Sequence, residues 1–213
     1  MNILITGSDS QITLPFEINS SNYTILKLTK LDLDITDYNQ MKLIFNNFKP
    51  DIILNFAAYT KVDLAEIEID KAYNVNMSGV KNLSILSNIF KSFLIHISTD
   101  YVFDGKKKTP YIETDLTNPI SVYGKSKLAG ENEIISISER YLIIRVSWLY
   151  GVHKKNFLTF ILQNLKNKSE LSVIDNQFGL PTNVYDLAAV IHQIIFKIKQ
   201  GNMPRNLFHY SNS

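Results

Sequence analysis

The chain has 213 residues, with 22 Lys and Arg against 20 Asp and Glu and a formal net charge of +2. That is room for one large α/β domain, or a domain with a small lobe, and no global field to attract nucleic acid or a membrane surface. It contains no cysteine, which excludes thiol catalysis, disulfides and cysteine-based zinc sites. No run approaches the ~18 apolar residues of a membrane span, and the start MNILITG lacks the charged region and long apolar core of a secretory leader, so a cytoplasmic protein without membrane insertion or a nucleic-acid partner is expected.

Asn2 to Thr6 is a short, largely β-branched apolar run that reads as a buried first strand ending at Gly7. A dinucleotide-binding unit places a glycine turn at this point, followed by a helix whose N-terminus faces a pyrophosphate. The turn here, GSDSQIT from Gly7 to Thr13, keeps only the first of the three usual glycines. Ser10 lacks glycine's access to positive φ, at a cost of roughly 1–2 kcal/mol if that conformation is required. Thr13 adds a branched side chain where a close approach is usual. Pro15 is tolerated only in a first helical turn, so the first helix is expected to be short, late or distorted. Thr24 to Leu28 reads as the second strand. No carboxylate follows it directly, and Lys30 is either solvated or placed to meet a ribose 2′-phosphate. Asp32, Asp34 and Asp37 surround Thr36, which reads as the N-cap of a helix over 37–48; capping rather than metal binding is the expected role of these acids.

Asp51 to Asn55 is a third buried strand, and the small residues Ala57 and Ala58 after it permit close approach of a cofactor. A helix begins at Val62, and a long one is expected over 74–90. Phe93 to Ile97 reads as the fourth strand, with His96 a satisfied core histidine rather than a catalytic one. It runs into Ser98-Thr99-Asp100-Tyr101. The basic run Lys106-Lys107-Lys108 is short and reads as a solvated loop.

Tyr123 and Lys127 are four apart. If Ser121 caps a helix, their side chains lie on one face, one turn apart. A phenol beside an ammonium, near a hydroxyl at a strand end, makes a plausible proton-donor site. Further along the chain, 141–146 reads as a fifth strand, 156–165 as a helix, 171–174 as a sixth strand, 184–198 as a helix and 206–210 as a last strand. The alternation predicts a doubly wound, mainly parallel sheet of Rossmann-like type. The division expected is a dinucleotide-binding core over 1–150 and a partial substrate lobe over 151–213, interleaved with the core.

Several segments in this order carry a resemblance to a known family: LDLDIT at 31–36, PDIILNFAAYTKVDLAE at 50–66, NVN at 74–76, STDYVFDG at 98–105, VYGKSKLAGE at 122–131, RVSWLYG at 145–151 and DNQFGLPT at 175–182. Together they resemble the extended short-chain dehydrogenase/reductases, and more narrowly the dTDP-4-dehydrorhamnose reductase family. The resemblance implies an NADPH- or NADH-dependent reductase acting on a dTDP-sugar ketone. A homodimer is a candidate assembly, and no residue is assigned to a metal. The same resemblance implies Thr99, Tyr123 and Lys127 as catalytic residues. Gln11, Ile12, Asp34, Ile35, Ala57, Ala58, Tyr59, Tyr123 and Lys127 are the implied cofactor contacts, beside Gly7 and Lys30 read from the strand ends, and Thr99, Asp100, Trp148 and Gln177 the substrate contacts, with Pro181 and Thr182 bordering the pocket. Lys127 is expected to help lower the Tyr123 pKa by roughly 3 units from ~10. Phe56 stands where the family usually has a small residue. Members usually continue well past the position of Tyr210, so the small C-terminal substrate lobe is expected to be incomplete. The alternative from a different class is a non-catalytic binding subunit, since the regulatory β subunit of methionine adenosyltransferase resembles the same family.

Overall fold

The structure is a computed structural model and describes residues 1–13, 15, 23–154, 156–165, 170–173, 175–202, 204 and 206–212. Six strands form one parallel sheet: β1 (Asn2–Thr6), β2 (Thr24–Leu28), β3 (Ile52–Asn55), β4 (Phe93–Thr99), β5 (Tyr141–Val146) and β8 (Leu207–Tyr210). Their order is β2-β1-β3-β4-β5-β8, and every pairing is parallel. The chain winds outward from β1 to β2, then crosses back to β3 and winds the other way. The point of reversal lies between β1 and β3, where open α/β sheets collect ligands at the carboxyl ends of the strands.

Period-2 alternation sends successive side chains to opposite faces. Ile3, Ile5, Leu54, Ile95 and Ile144 face one way and pack with Leu187, Ile191 and Ile195 of α7 (Val184–Lys199). Leu4, Ile53, Leu94 and Ile143 face the other way and pack with Met41 and Phe45 of α1 (Tyr38–Phe48) and Leu83 and Leu86 of α4 (Val80–Phe90). Burial on both faces is why β3 and β4 read as unbroken apolar runs. The stretch after residue 150 returns α7 and β8 to this same sheet. Between β5 and α7, α6 (Phe157–Asn164) and a second two-stranded sheet of β6 (Leu149–Tyr150) and β7 (Thr182–Asn183) stand beside the carboxyl ends. No helix of the described residues is long and apolar enough to cross a membrane.

Local structure departs from the sequence expectations in several places. The N-cap of α1 is Asp37, which accepts from the Gln40 N–H, while Thr36 is itself held by Asp34. Two acids of the cluster thus act as turn and helix caps. The helix expected over 74–90 is continuous in path but starts as a π-helical turn, Asn74–Gly79, before α4. The first helix, expected to be short, late or distorted around Pro15, falls mostly on residues outside those described. So does the end of the strand expected over 171–174, whose residues 171–173 carry no strand pairing.

Candidate active site

A cleft of about 1420 Å³ opens over the carboxyl ends of β1, β3, β4 and β5. It is larger than the ~300–1,000 Å³ typical of drug-sized ligands, which suits two extended molecules rather than one compact one. The catalytic, cofactor and substrate residues read from the sequence all line it, as does Pro181, while Thr182 is buried behind the lining.

At the β1 end, Gly7 has φ +64, and a Cβ built there would lie 2.5 Å from the Ala57 amide nitrogen. Only glycine lets the two strand ends approach this closely. Ser10 needs no such freedom. The non-glycine residues with positive φ among those described are Lys49, Lys91 and Trp148. Ser10 instead donates its N–H to Gly7 O at 2.9 Å, accepts from the Thr13 N–H at 3.2 Å, and pairs hydroxyls with Thr13 at 2.9 Å. The lost glycines are therefore replaced by a hydroxyl-stabilised turn, without the strain a left-handed serine would carry. Ile12 is 4% exposed and reaches the main core. The Gln11 amide donates to Leu149 O at 3.1 Å and ties this turn to β6. Phe56, which stands where the family usually has a small residue, lines the cleft but is only 7% exposed, and it joins the core cluster that holds Ile12 and Ile97.

At the β2 end, Asp34 and Ile35 line the cleft with the exposed Lys30. Asp34 Oδ1 accepts from the N–H and hydroxyl of Thr36 at 2.9 and 2.8 Å. Burial raises its pKa, but these bonds and the Lys30 charge outweigh burial and hold the carboxyl below its ordinary value. Along β3, Ala57 and Ala58 leave space, and Tyr59 closes the wall. The backbone of Tyr59 is clamped by Asn76, whose Oδ1 accepts from the Tyr59 N–H at 2.9 Å and whose Nδ2 donates to Tyr59 O at 3.0 Å. Asn76 also donates to the Ser126 hydroxyl at 3.0 Å. The π-helical turn turns this asparagine inward, as such turns often do near sites.

Tyr123 and Lys127 sit on α5 (Val122–Ile137). Ser121 caps it by accepting from the Gly124 N–H at 3.0 Å, so Tyr123 and Lys127 share a face as the spacing requires. Gly124 brings the helix against the end of β4: a Cβ there would lie 2.2 Å from Tyr101 O. Tyr123 packs edge-on to Tyr101, with ring centroids 5.6 Å apart. Thr99 donates to Asp100 Oδ1 at 3.0 Å, accepts from the Tyr101 N–H at 3.2 Å, and contacts the Tyr123 hydroxyl. Burial pushes the Tyr123 phenol above its ordinary value, the Asp100 and Tyr101 charges add to this, and the Thr99 contact works against it. Burial likewise raises the carboxyl of Asp100.

One expectation is corrected here. Lys127 does not lower Tyr123 in this conformation. Its Nζ donates to Ile97 O at 2.7 Å and lies 3.2 Å from His96 Nε2. The lysine is 2% exposed, and burial pushes it down to about 8 while Glu131 pulls the other way. His96 is thus a core residue, as its position in β4 suggested, but one in contact with the site lysine; neither periodicity nor motif spacing signalled that pairing.

Glu131, one turn beyond Lys127, anchors α5 to the sheet. It is fully buried and takes a two-pronged contact from Arg145 of β5, with Nη2 to Oε2 at 2.7 Å and Nε to Oε1 at 3.0 Å. Ser98 donates to the same carboxylate. On the far wall, Trp148 has φ +44, a strained setting for an aromatic residue, and its ring lies over Gly179. Trp148 O accepts from the Thr182 N–H at 3.2 Å, which draws Gln177 and Pro181 to the rim. Apolar side chains of α6, among them Phe157 and Phe160, complete that wall.

The chain matches, over residues 1–213, the family model described as RmlD substrate binding domain. It is 39% identical to a dTDP-4-dehydrorhamnose reductase of Aggregatibacter actinomycetemcomitans, over 98% of this chain and 72% of that one. The crystal structure of dTDP-4-dehydrorhamnose reductase from Bacillus anthracis str. Ames, in complex with NADP, is similar with a TM-score of 0.94 at 37% identity, covering 100% of this chain and 74% of that one. The ortholog from Clostridium acetobutylicum is similar with a TM-score of 0.93 at 38% identity, covering 100% and 75%.

Proposed function

The chain belongs to the RmlD substrate-binding-domain family, and we propose that it is an NAD(P)H-dependent reductase that converts the C4 ketone of dTDP-4-dehydro-β-L-rhamnose to the alcohol of dTDP-L-rhamnose. The observation that carries this reading is the convergence of Gly7, Ala57, Thr99, Tyr123 and Lys127, from three strand ends and one helix, on a single cleft. The Gly7–Ala57 approach leaves backbone rather than side chains at the switch point, which fits a pyrophosphate. Lys30 offers a cation where a ribose 2′-phosphate would lie, which favours NADPH over NADH.

A bound nicotinamide supplies the hydride to the ketone carbon. As the carbonyl pair moves onto oxygen, the Tyr123 hydroxyl gives its proton to that oxygen and is left as phenolate. The environment that raises the Tyr123 pKa keeps the phenol protonated across the neutral range, which is the form a proton donor needs. Thr99 orients the phenol and donates to the reacting oxygen once released from Asp100. Lys127, as ammonium, steadies the phenolate and the cofactor ribose. Asp100, Trp148 and Gln177 hold the sugar, with α6 behind it. Such an enzyme works in the cytoplasm, and a homodimer is the assembly to test by light scattering.

NADPH titration by fluorescence, followed by turnover with the keto-sugar, tests the reading. Tyr123→Phe should lower turnover by at least ~100-fold with cofactor affinity nearly unchanged. Absence of binding at millimolar NADPH and NADH would overturn the reductase; binding without turnover would favour a non-catalytic subunit.

A further inference from the structure

His96 is buried, titratable and unused by the mechanism above, yet it contacts the site lysine. The hydrogen bonds around it fix its proton. Asn55 Oδ1 accepts from the Ala57 backbone N–H at 3.1 Å and from the Thr6 hydroxyl at 2.7 Å. A backbone amide can only donate, so the atom facing it must be the asparagine oxygen. The other branch, Nδ2, therefore faces His96 Nδ1 at 2.8 Å, and an amide nitrogen also only donates. Nδ1 must accept, and a neutral imidazole then carries its proton on Nε2. That Nε2–H points at Lys127 Nζ, 3.2 Å away. An N–H facing an ammonium repels it, whereas an N–H facing an amine lone pair makes a bond. Lys127 keeps its own N–H for Ile97 O.

We propose that His96 is a positioning residue for Lys127: the Asn55–His96 pair presents an N–H that holds the lysine as a neutral amine against the end of β4, so that Lys127 gains its proton only by swinging away from His96. The other groups facing Lys127 allow this. On its own helix, Tyr123 is a neutral phenol, and the charge of Glu131 is already taken up by Arg145 of β5, with Ser98 of β4 bonded to the same carboxylate. Asp100, beyond β4, is bonded to Thr99. Asn55 of β3 and Thr6 of β1 are uncharged. Burial lowers the pKa of both His96 and Lys127, the lysine to about 8 against the upward pull of Glu131, so the pair is neutral above about pH 8. The consequence for turnover rests on the reductase reading: cofactor binding that draws Lys127 out as ammonium takes up a proton from solvent. The hydrogen-bond chain itself does not depend on that reading.

Nitrogen-15 NMR on the wild-type chain decides the first point. His96 should show a protonated Nε2 and a bare Nδ1 from pH 7 to 9, and an Nδ1–H tautomer or an imidazolium would overturn the proposal. The Lys127 ammonium, followed by NMR without cofactor, should titrate well below an ordinary lysine in the wild type. In His96→Gln, whose side-chain oxygen can accept from an ammonium, the midpoint should rise by about one pH unit or more. An unchanged midpoint would also overturn the proposal. If the variant does not fold, the wild-type tautomer and lysine titration still decide it. With NADPH, calorimetry in buffers of differing ionisation enthalpy at pH 9 should show proton uptake in the wild type that is lost in the variant. Failure of NADPH to bind would sink the reductase reading while leaving the tautomer result to stand.

Discussion

Glu131→Gln removes one negative charge and changes almost nothing in shape. Arg145 is 6% exposed and Glu131 fully buried, so the guanidinium cannot turn to water when its partner is neutralised. One of its two charge-assisted contacts, the 2.7 Å bond to Oε2 or the 3.0 Å bond to Oε1, would then face an amide that itself donates. Leaving a buried charge unpaired costs ~3–5 kcal/mol. At ~2–4 °C per kcal/mol for a chain of this size, the melting temperature should fall by ~6–20 °C. Urea unfolding followed by fluorescence of the one tryptophan, Trp148, measures the loss directly. Glu131→Met combined with Arg145→Met removes both charges and should recover most of it, because an apolar pair of similar volume is close to neutral. A loss below ~1 kcal/mol in the single variant, or a double variant as unstable as the single, would refute the view that the pair is dry and mutually dependent.

Lys127→Met should alter how stability depends on pH. The lysine titrates near 8 in the fold and near 10.5 unfolded, so the unfolded chain binds more protons between those values and wild-type stability rises with pH there. The difference between wild type and variant should shift in favour of the wild type by ~3 kcal/mol from below pH 8 to above pH 10.5; parallel curves in urea titrations across that range would contradict the buried lysine. Gly7→Ala places a Cβ 2.5 Å from the Ala57 nitrogen at φ +64. It should cost at least ~2 kcal/mol of stability and weaken NADPH binding tenfold or more, read by urea unfolding and fluorescence titration. Unchanged affinity would mean that the cofactor does not use this turn.

The central strands were legible because burial on both faces writes itself as an unbroken apolar run, and β1, β2 and β5 have the bounds the runs suggested. The cap of α5 was legible because Ser121 needs only the backbone three residues on. Other features depend on partners far away in the chain. The 171–174 run is apolar enough for a strand, but a strand also needs a neighbour, and residues 171–173 have none. The β6–β7 ladder was invisible because two-residue strands carry no period. The π-helical turn leaves no mark on the apolar spacing, yet it turns Asn76 towards Tyr59. At the Gly7–Thr13 turn, counting glycines could not tell that Ser10 does without positive φ, since that depends on the hydroxyl contact it makes with Thr13. Lys127 was correctly grouped with Tyr123 by spacing, but its pairing with His96 crosses from helix to sheet and no local rule foretells it.

The place of β8 at the far edge of the sheet matters for synthesis on the ribosome. β5 ends at Val146, but the strand that shields its open edge is Leu207–Tyr210. At ~5–20 residues per second, the edge of β5 waits roughly 3–13 s for its cover. During that interval α5 and its neighbouring strands have already emerged, with a bare strand edge beside them. A nascent chain paused in this window offers a template for pairing with another copy, so slow codons placed between positions 147 and 206 should raise the yield of aggregate rather than of folded protein.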